Sequence, residues 1–179
     1  MTTIGIFLGS VRRGRIGEQI AAWVVDTAAD RDVEYRLLDL AEFDVPHLVA
    51  ETLPGMAQKN YDDPVVTRWS EAVDACDGYV FVTPEHNHSV PGTMKNAFDS
   101  LFGEWQGKPV AFVSYGGDGG VRAAEHWRQI VSNLSMHDLR NQVALHIFGE
   151  DVEDGEFAPH ERKLQALVRV LDDLEGELG

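Results

Sequence analysis

Short apolar runs alternate along this chain with longer stretches of helical period. Thr3 to Leu8 is almost wholly apolar. After a polar loop, Ile16, Ile20, Trp23 and Val24 recur on one helical face, so the chain opens as strand, loop, helix. Val33, Tyr35 and Leu37 alternate with Glu34 and Arg36, which predicts a half-exposed second strand, as at a sheet edge. Residues Ala41 to Asn60 carry Pro46, Pro54 and Gly55 without a period; such long loops often serve as lids or interface segments. Pro64 suits the first position of a second helix that buries Val65, Trp69, Val73 and Cys76. Gly78 to Thr83 and Pro109 to Tyr115 read as central parallel strands, apolar on both faces. A third helix runs through Phe98 and Leu101, and a fourth sets Ala124, Trp127, Ile130, Val131 and Leu134 in period. The pattern closes with a fifth strand at about Gln142 to Phe148, an acidic loop from Glu150 to Glu156, and a last helix. That helix carries Leu164, Leu167, Val168, Leu171, Leu174 and Leu178 in one stripe, too short for a coiled-coil seam and therefore core.

Five strand–helix units with right-handed crossovers make an α/β three-layer sandwich. By analogy with flavodoxin-like folds, the expected sheet is parallel and five-stranded, in the order 2-1-3-4-5. The 179 residues fit one domain, 1–179, with no linker or repeat to divide it. The formal net charge of -15 argues against nucleic acid and against an anionic membrane surface as partners. Cys76 is the single cysteine, so no intrachain disulfide forms. A reducing, cytoplasmic setting is expected, with no signal-peptide pattern at Met1-Thr2-Thr3-Ile4 and no apolar run of membrane length.

Three loops carry the chemistry, each at the carboxyl end of a strand, where open α/β sheets bind ligands. Gly9-Ser10-Val11-Arg12-Arg13-Gly14-Arg15-Ile16-Gly17 offers a hydroxyl, three guanidinium groups and a helix N-terminus. Unpaired first-turn amides and arginine forks both suit a phosphate. The bland alternative is a solvated basic turn, which the loop's position and its basicity in an acidic chain disfavour. The second loop runs Pro84-Glu85-His86-Asn87-His88-Ser89, where Pro84 ends the strand and Asn87 and Ser89 suit turns. The third, Ser114-Tyr115-Gly116-Gly117-Asp118-Gly119-Gly120, has four glycines that let backbone approach a flat ligand.

Together these loops resemble the NAD(P)H-dependent FMN reductases, the flavodoxin-like quinone, azo-dye and chromate reductases. Gly9-Ser10-x-Arg12-x-x-Arg15-x-Gly17 is similar to that family's phosphate loop. Pro84-Glu85-His86-Asn87, with Pro91-Gly92-x-x-Lys95-Asn96-Ala97 after it, resembles its Pro-Glu-Tyr-Asn signature. Ser114-Tyr115-Gly116 to Gly119-Gly120-x-Arg122-Ala123 is similar to its third loop, and the resemblance spans roughly residues 3 to 150. It implies that Ser10, Arg12, Arg15 and the amides at Ile16 and Gly17 hold the FMN phosphate. Pro84, Glu85, His86 and Asn87 then border the isoalloxazine, with Ser114, Tyr115, Gly116, Gly117 and Gly120 flanking it from the other side. The implied activity is hydride transfer from NADPH or NADH to FMN and on to a small-molecule electron acceptor, a quinone, flavin or similar. The protein positions the cofactor, which carries the chemistry, so no catalytic acid or base is named. The family is usually dimeric, sometimes tetrameric. His86 departs from the usual tyrosine, and imidazole is smaller and titrates near neutrality.

Several residues invite sharper readings than they support. His86-x-His88 could suggest a metal, but no carboxylate or cysteine cluster accompanies it, and no metal is expected. His126, His137 and His146 fall in predicted helix, turn and strand. Cys76 reads as buried and inert. Arg122 serves either a subunit contact or a solvated ion pair, and Trp105, in a loop, is a candidate interface anchor. The main rival function is a flavodoxin-type electron carrier, which usually has a Ser/Thr-rich phosphate loop without arginine. A low-molecular-weight phosphatase would need a cysteine where Ser10 stands. A receiver domain would need acidic residues at Gly9-Ser10, and a serine hydrolase a glycine in place of Phe112.

Overall fold

The structure, a computed structural model, describes residues 1–179. Five parallel strands form one sheet in the order β2-β1-β3-β4-β5. They are β1 (Thr3–Leu8), β2 (Glu34–Asp39), β3 (Gly78–Pro84), β4 (Pro109–Gly116) and β5 (His137–His146). The helices are α1 (Gly17–Ala28), α2 (Leu40–Phe43), α3 (Pro64–Asp74), α4 (Gly92–Asp99), α5 (Val121–Ser132) and α6 (Glu161–Gly176). A small hairpin of β6 (Val152–Glu153) and β7 (Glu156–Phe157) stands between β5 and α6.

The three central strands, β1, β3 and β4, are buried at every position, which is why they read as unbroken apolar runs. Alternate residues face opposite layers. Ile4, Ile6, Val80 and Val82 join Ile20 and Val24 of α1 and Leu167, Val170, Leu171 and Leu174 of α6. Phe7, Phe81 and Phe112 join Trp69 and Val73 of α3, Phe98 of α4 and Trp127 and Val131 of α5. The outcome is the three-layer order expected.

Trp105 is the clearest correction. It is 0% exposed, with ring centroids 4.9 Å from Tyr79 and 5.0 Å from Phe98. Its Nε1 donates to the Phe98 carbonyl at 3.1 Å. The loop after α4 folds inward, so this indole belongs to the core and anchors no interface. On the edge strand β2, Leu38 is the buried residue while Leu37 is 46% exposed; alternation located the strand but misjudged which residue of its end packs. β5 starts at His137, earlier than expected, because its first half is polar. Arg128 of α5 covers that half, donating to Asp138 at 2.6 Å and to the Leu139 carbonyl. Phe148 lies beyond the strand and is exposed. In α6, Val168 is exposed and Val170 takes the core position. Val65 is only half-buried.

The long segment after β2 contains α2 and a 3₁₀ turn at Pro54–Met56. It is tied down at both ends. Asn96 of α4 donates to the Pro46 carbonyl at 2.8 Å and accepts from the Leu48 amide at 3.0 Å. The Tyr61 hydroxyl donates at 2.9 Å to Glu104, a fully buried carboxylate that also accepts from Ser70 and the Phe102 amide. Cys76, 1% exposed, has its thiol pushed up to about 11 by burial, which keeps it protonated and unreactive.

Removing the Trp105 indole leaves a large cavity among Phe7, Tyr79, Phe81 and Phe98. Trp105→Ala is expected to cost about 3–5 kcal/mol in urea unfolding; a loss under about 1 kcal/mol, the scale of a surface change, would contradict its place in the core.

Candidate functional site

β1 and β3 are neighbours whose outgoing chains part in opposite directions, toward β2 and toward β4. That divergence opens a crevice at their carboxyl ends. Residues of all three loops line one cleft of about 410 Å³, among them Ser10, Arg12, Arg15, Ile16, Pro84, Glu85, His86, Tyr115, Gly116 and Gly117. A separate concavity of about 210 Å³ lies under residues 46–63 and contains none of them.

The first loop supplies donors. α1 begins at Gly17 with no side-chain cap, and the amides of Gly17, Glu18 and Gln19 find no acceptor in the chain. An uncapped helix start attracts an anion. Ser10 is 3% exposed, whereas Arg12 is exposed and free of ion pairs. Arg15 is different. Its side chain is 7% exposed, with Nη2 2.6 Å from Asp39 and Nε 2.9 Å from Glu18, while Nη1 donates to the Ser10 carbonyl. All three nitrogens are engaged and two carboxylates balance the charge, so the surplus cation at the cleft is Arg12.

Tyr115 completes this donor set. Val113 and Tyr115 share the α1 face of β4, so the phenol runs beneath the first loop. Its hydroxyl is buried and donates to no group of the chain. It lies so close to the start of α1 that a Cβ on Gly17 would stand 2.5 Å from it, so any larger residue there would push the phenol aside. Burial pushes the phenol up to about 12, with Ser10, Arg15 and Arg12 pulling the other way. The group therefore stays an O–H donor at neutral pH. A buried hydroxyl without a partner costs about 1–3 kcal/mol, and an anion at the helix start would accept from it.

The second loop is a tight turn. His86 and Ser89 exchange backbone hydrogen bonds at 3.0 and 3.1 Å across Asn87 and His88, which have φ of 48° and 73°. Two positive φ values make this a type I′ turn, which suits Asn. Asn87 sits exposed at the tip and does not line the cleft. His86 and His88 accordingly do not share the face of an extended segment. The Glu85 carboxylate turns away to accept from the Arg122 amide at 3.2 Å and its guanidinium at 2.5 Å. Arg122 also pairs with Asp118, so it serves an ion pair that locks the second loop to the third.

In the third loop, Ser114 is fully buried and donates to the Gly119 carbonyl at 2.8 Å. Gly120 has φ of 69°, and a Cβ there would lie 2.5 Å from the Tyr115 nitrogen. Both shape the loop from behind, outside the cleft lining, and leave Gly116 and Gly117 to form the wall.

A fourth wall escaped the sequence reading. Ile147, Phe148, Val152 and Gly155 line the cleft, and the stretch read as an acidic loop is the β6–β7 hairpin. Asp154 and Gly155 have φ of 51° and 86°. An Asp-Gly pair between Val152 and Phe157 is a hairpin signal that could have found it. The hairpin is anchored where buried Asp151 accepts from the His146 amide at 2.7 Å and where the Phe157 amide donates to Gln19 at 2.7 Å.

The NADPH-dependent FMN reductase family model matches residues 2–150. An NAD(P)H-dependent FMN reductase of a Nectria species is 41% identical over 128 residues, covering 69% of this chain and 64% of that protein's length. A quinone reductase of Pseudomonas putida is 30% identical over 142 residues, covering 75% of this chain and 72% of its own. Among solved structures, the flavoenzyme NAD(P)H:(acceptor) oxidoreductase of Paracoccus denitrificans superposes with a TM-score of 0.76 at 21% identity, covering 98% of both chains. That likeness concerns the fold. No helix is long and apolar enough to cross a membrane.

His86 and Arg12 reach the same cleft from different loops. Burial first, and then the Arg12 charge, hold the imidazole below its ordinary pKa. Removing that charge removes repulsion of the imidazolium, so Arg12→Ala is expected to raise the His86 midpoint in an NMR titration. A midpoint unmoved or lowered would separate the two residues.

Proposed function

The chain belongs to the NADPH-dependent FMN reductase family, and we propose that its cleft binds FMN with the phosphate at the start of α1. The observation that carries this reading is the convergence of donors without acceptors: the unpartnered Tyr115 hydroxyl, the free first-turn amides and unpaired Arg12. When bound, FMN supplies the redox chemistry, taking a hydride from NADPH or NADH and passing electrons to a quinone, flavin or similar small acceptor. The protein's own work is to hold and orient. Arg12, Tyr115, Ser10 and the amides at Ile16 and Gly17 fit the phosphate, with Arg15 behind them. The backbone of Pro84 to His86 borders the flat ring on one side and that of Tyr115 to Gly117 on the other. Glycine and proline there allow close approach and present no side-chain acid or base. His86, held neutral by burial and by Arg12, adds no cation to that wall.

The reading extends to the whole molecule. Residues 1–179 act as one domain. The chain works in the cytoplasm, in keeping with one buried, unpaired cysteine. It pairs as a homodimer or homotetramer; Leu48, Val49, Leu53 and Met56 stand exposed on one segment, an apolar surface suited to self-association. A flavodoxin-type carrier would share the fold, and the free Arg12 favours the reductase.

Under anaerobic conditions, NADPH or NADH added to the FMN-loaded protein without any partner is expected to bleach the flavin absorbance. Persistent colour with both donors would support the carrier. Arg12→Ala and Tyr115→Phe are each expected to weaken FMN by roughly tenfold, the scale of a charge-assisted hydrogen bond, and to leave riboflavin nearly unchanged. Equal losses for both flavins would remove the phosphate from these residues.

A further inference from the structure

Asp39 ends β2, directly across the register from Leu8 at the end of β1. A carboxylate beside an anion seat is unfavourable by Coulomb's law alone, yet this one is only 12% exposed and sits 2.6 Å from Arg15. Its other oxygen accepts from the Ala41 amide at 3.0 Å, capping α2. The Arg15 guanidinium therefore joins three pieces of chain. It holds the Ser10 carbonyl where the loop begins, Glu18 in the first turn of α1, and Asp39 on the neighbouring strand. The Ser10 and Arg15 ends of the loop are pinned together, and the crown between them carries Arg12 into the cleft.

We propose that Asp39 and Arg15 form a brace that sets the first loop's shape, with Asp39 a positioning residue for the cofactor phosphate that it never touches. This rests on the FMN reading of the same cleft. Charge counting and the brace make opposite forecasts for Asp39→Asn. Loss of a nearby negative charge should tighten binding of an anion; loss of the brace should weaken it. Asparagine still caps α2, so the substitution is specific to the ion pair.

The experiment measures FMN and riboflavin dissociation constants by flavin fluorescence for the full chain and its variants. For Asp39→Asn the FMN constant rises by roughly fivefold, the order of one ordinary hydrogen bond, and riboflavin is little changed. FMN affinity equal to or tighter than the parent's overturns the brace. Arg15→Lys keeps the charge and loses the three-way fork, so it loses FMN affinity similarly; full retention overturns the proposal. In an Arg15→Ala background, Asp39→Asn adds no further weakening, and additive losses overturn it. A final arm needs no flavin. Trypsin cleaves the unloaded Asp39→Asn protein faster than the parent after Arg12, Arg13 or Arg15, and equal rates overturn the brace. If the parent bound neither flavin, the FMN reading would fail while the trypsin rates still judged the brace.

Discussion

The Tyr115 hydroxyl is buried against the start of α1 with no acceptor of its own, and the cleft is built around that unmet donor. Folding brings it there because β4 must bury its α1-facing residues, and Tyr115 is the last of them. Gly17 clears the space. The neighbouring amides are free for the same reason that the helix is uncapped: no side chain of the loop turns back on them. A cluster made only of donors, in a chain of net charge -15, is a local reversal of the molecule's field. On the FMN reading, the long-range charge repels the anionic phosphate and the short-range donors offset that repulsion.

Rigidity comes from an ion pair and hydrogen bonds around the cleft. Glu85 and Arg122 lock the second loop to the third, and Ser114 and Gly120 fold the third loop onto the end of β4. Asp151 fastens the hairpin that forms the fourth wall. The Glu85 carboxylate and the Ser114 hydroxyl are thereby engaged by partners inside the chain. Preorganised loops let a ligand bind without first ordering them.

Much of this was legible in the sequence, and the reasons differ by residue. The sheet was legible because β1, β3 and β4 are covered on both faces and so had to be continuously apolar. The three loops were legible because glycine, proline and arginine follow those strands directly. The ion pair of Arg15 was not, since it needs Asp39, which only the β1–β2 register brings near. Side-chain parity along β4 does send Tyr115 to the α1 side, but that follows only once the layer carrying α1 is known. Trp105 was misread because a lone aromatic in a loop carries no period to signal burial. The polar first half of β5 was missed because an edge strand covered by an arginine need not alternate.

The division between engaged and free groups also bears on what such a site can discriminate. Strong selectivity comes from polar groups left unpaired when the wrong ligand binds. On the FMN reading, the free donors cluster at the phosphate end, in Arg12, Tyr115 and the first turn of α1. The ring end offers glycine and proline backbone, a neutral His86 and the exposed Phe148, while the polar side chains of Glu85 and Ser114 are already occupied. Such a surface penalises a missing phosphate heavily and a changed acceptor lightly. The physical expectation is a protein strict about its cofactor's charged tail and permissive toward flat partners that stack beyond it.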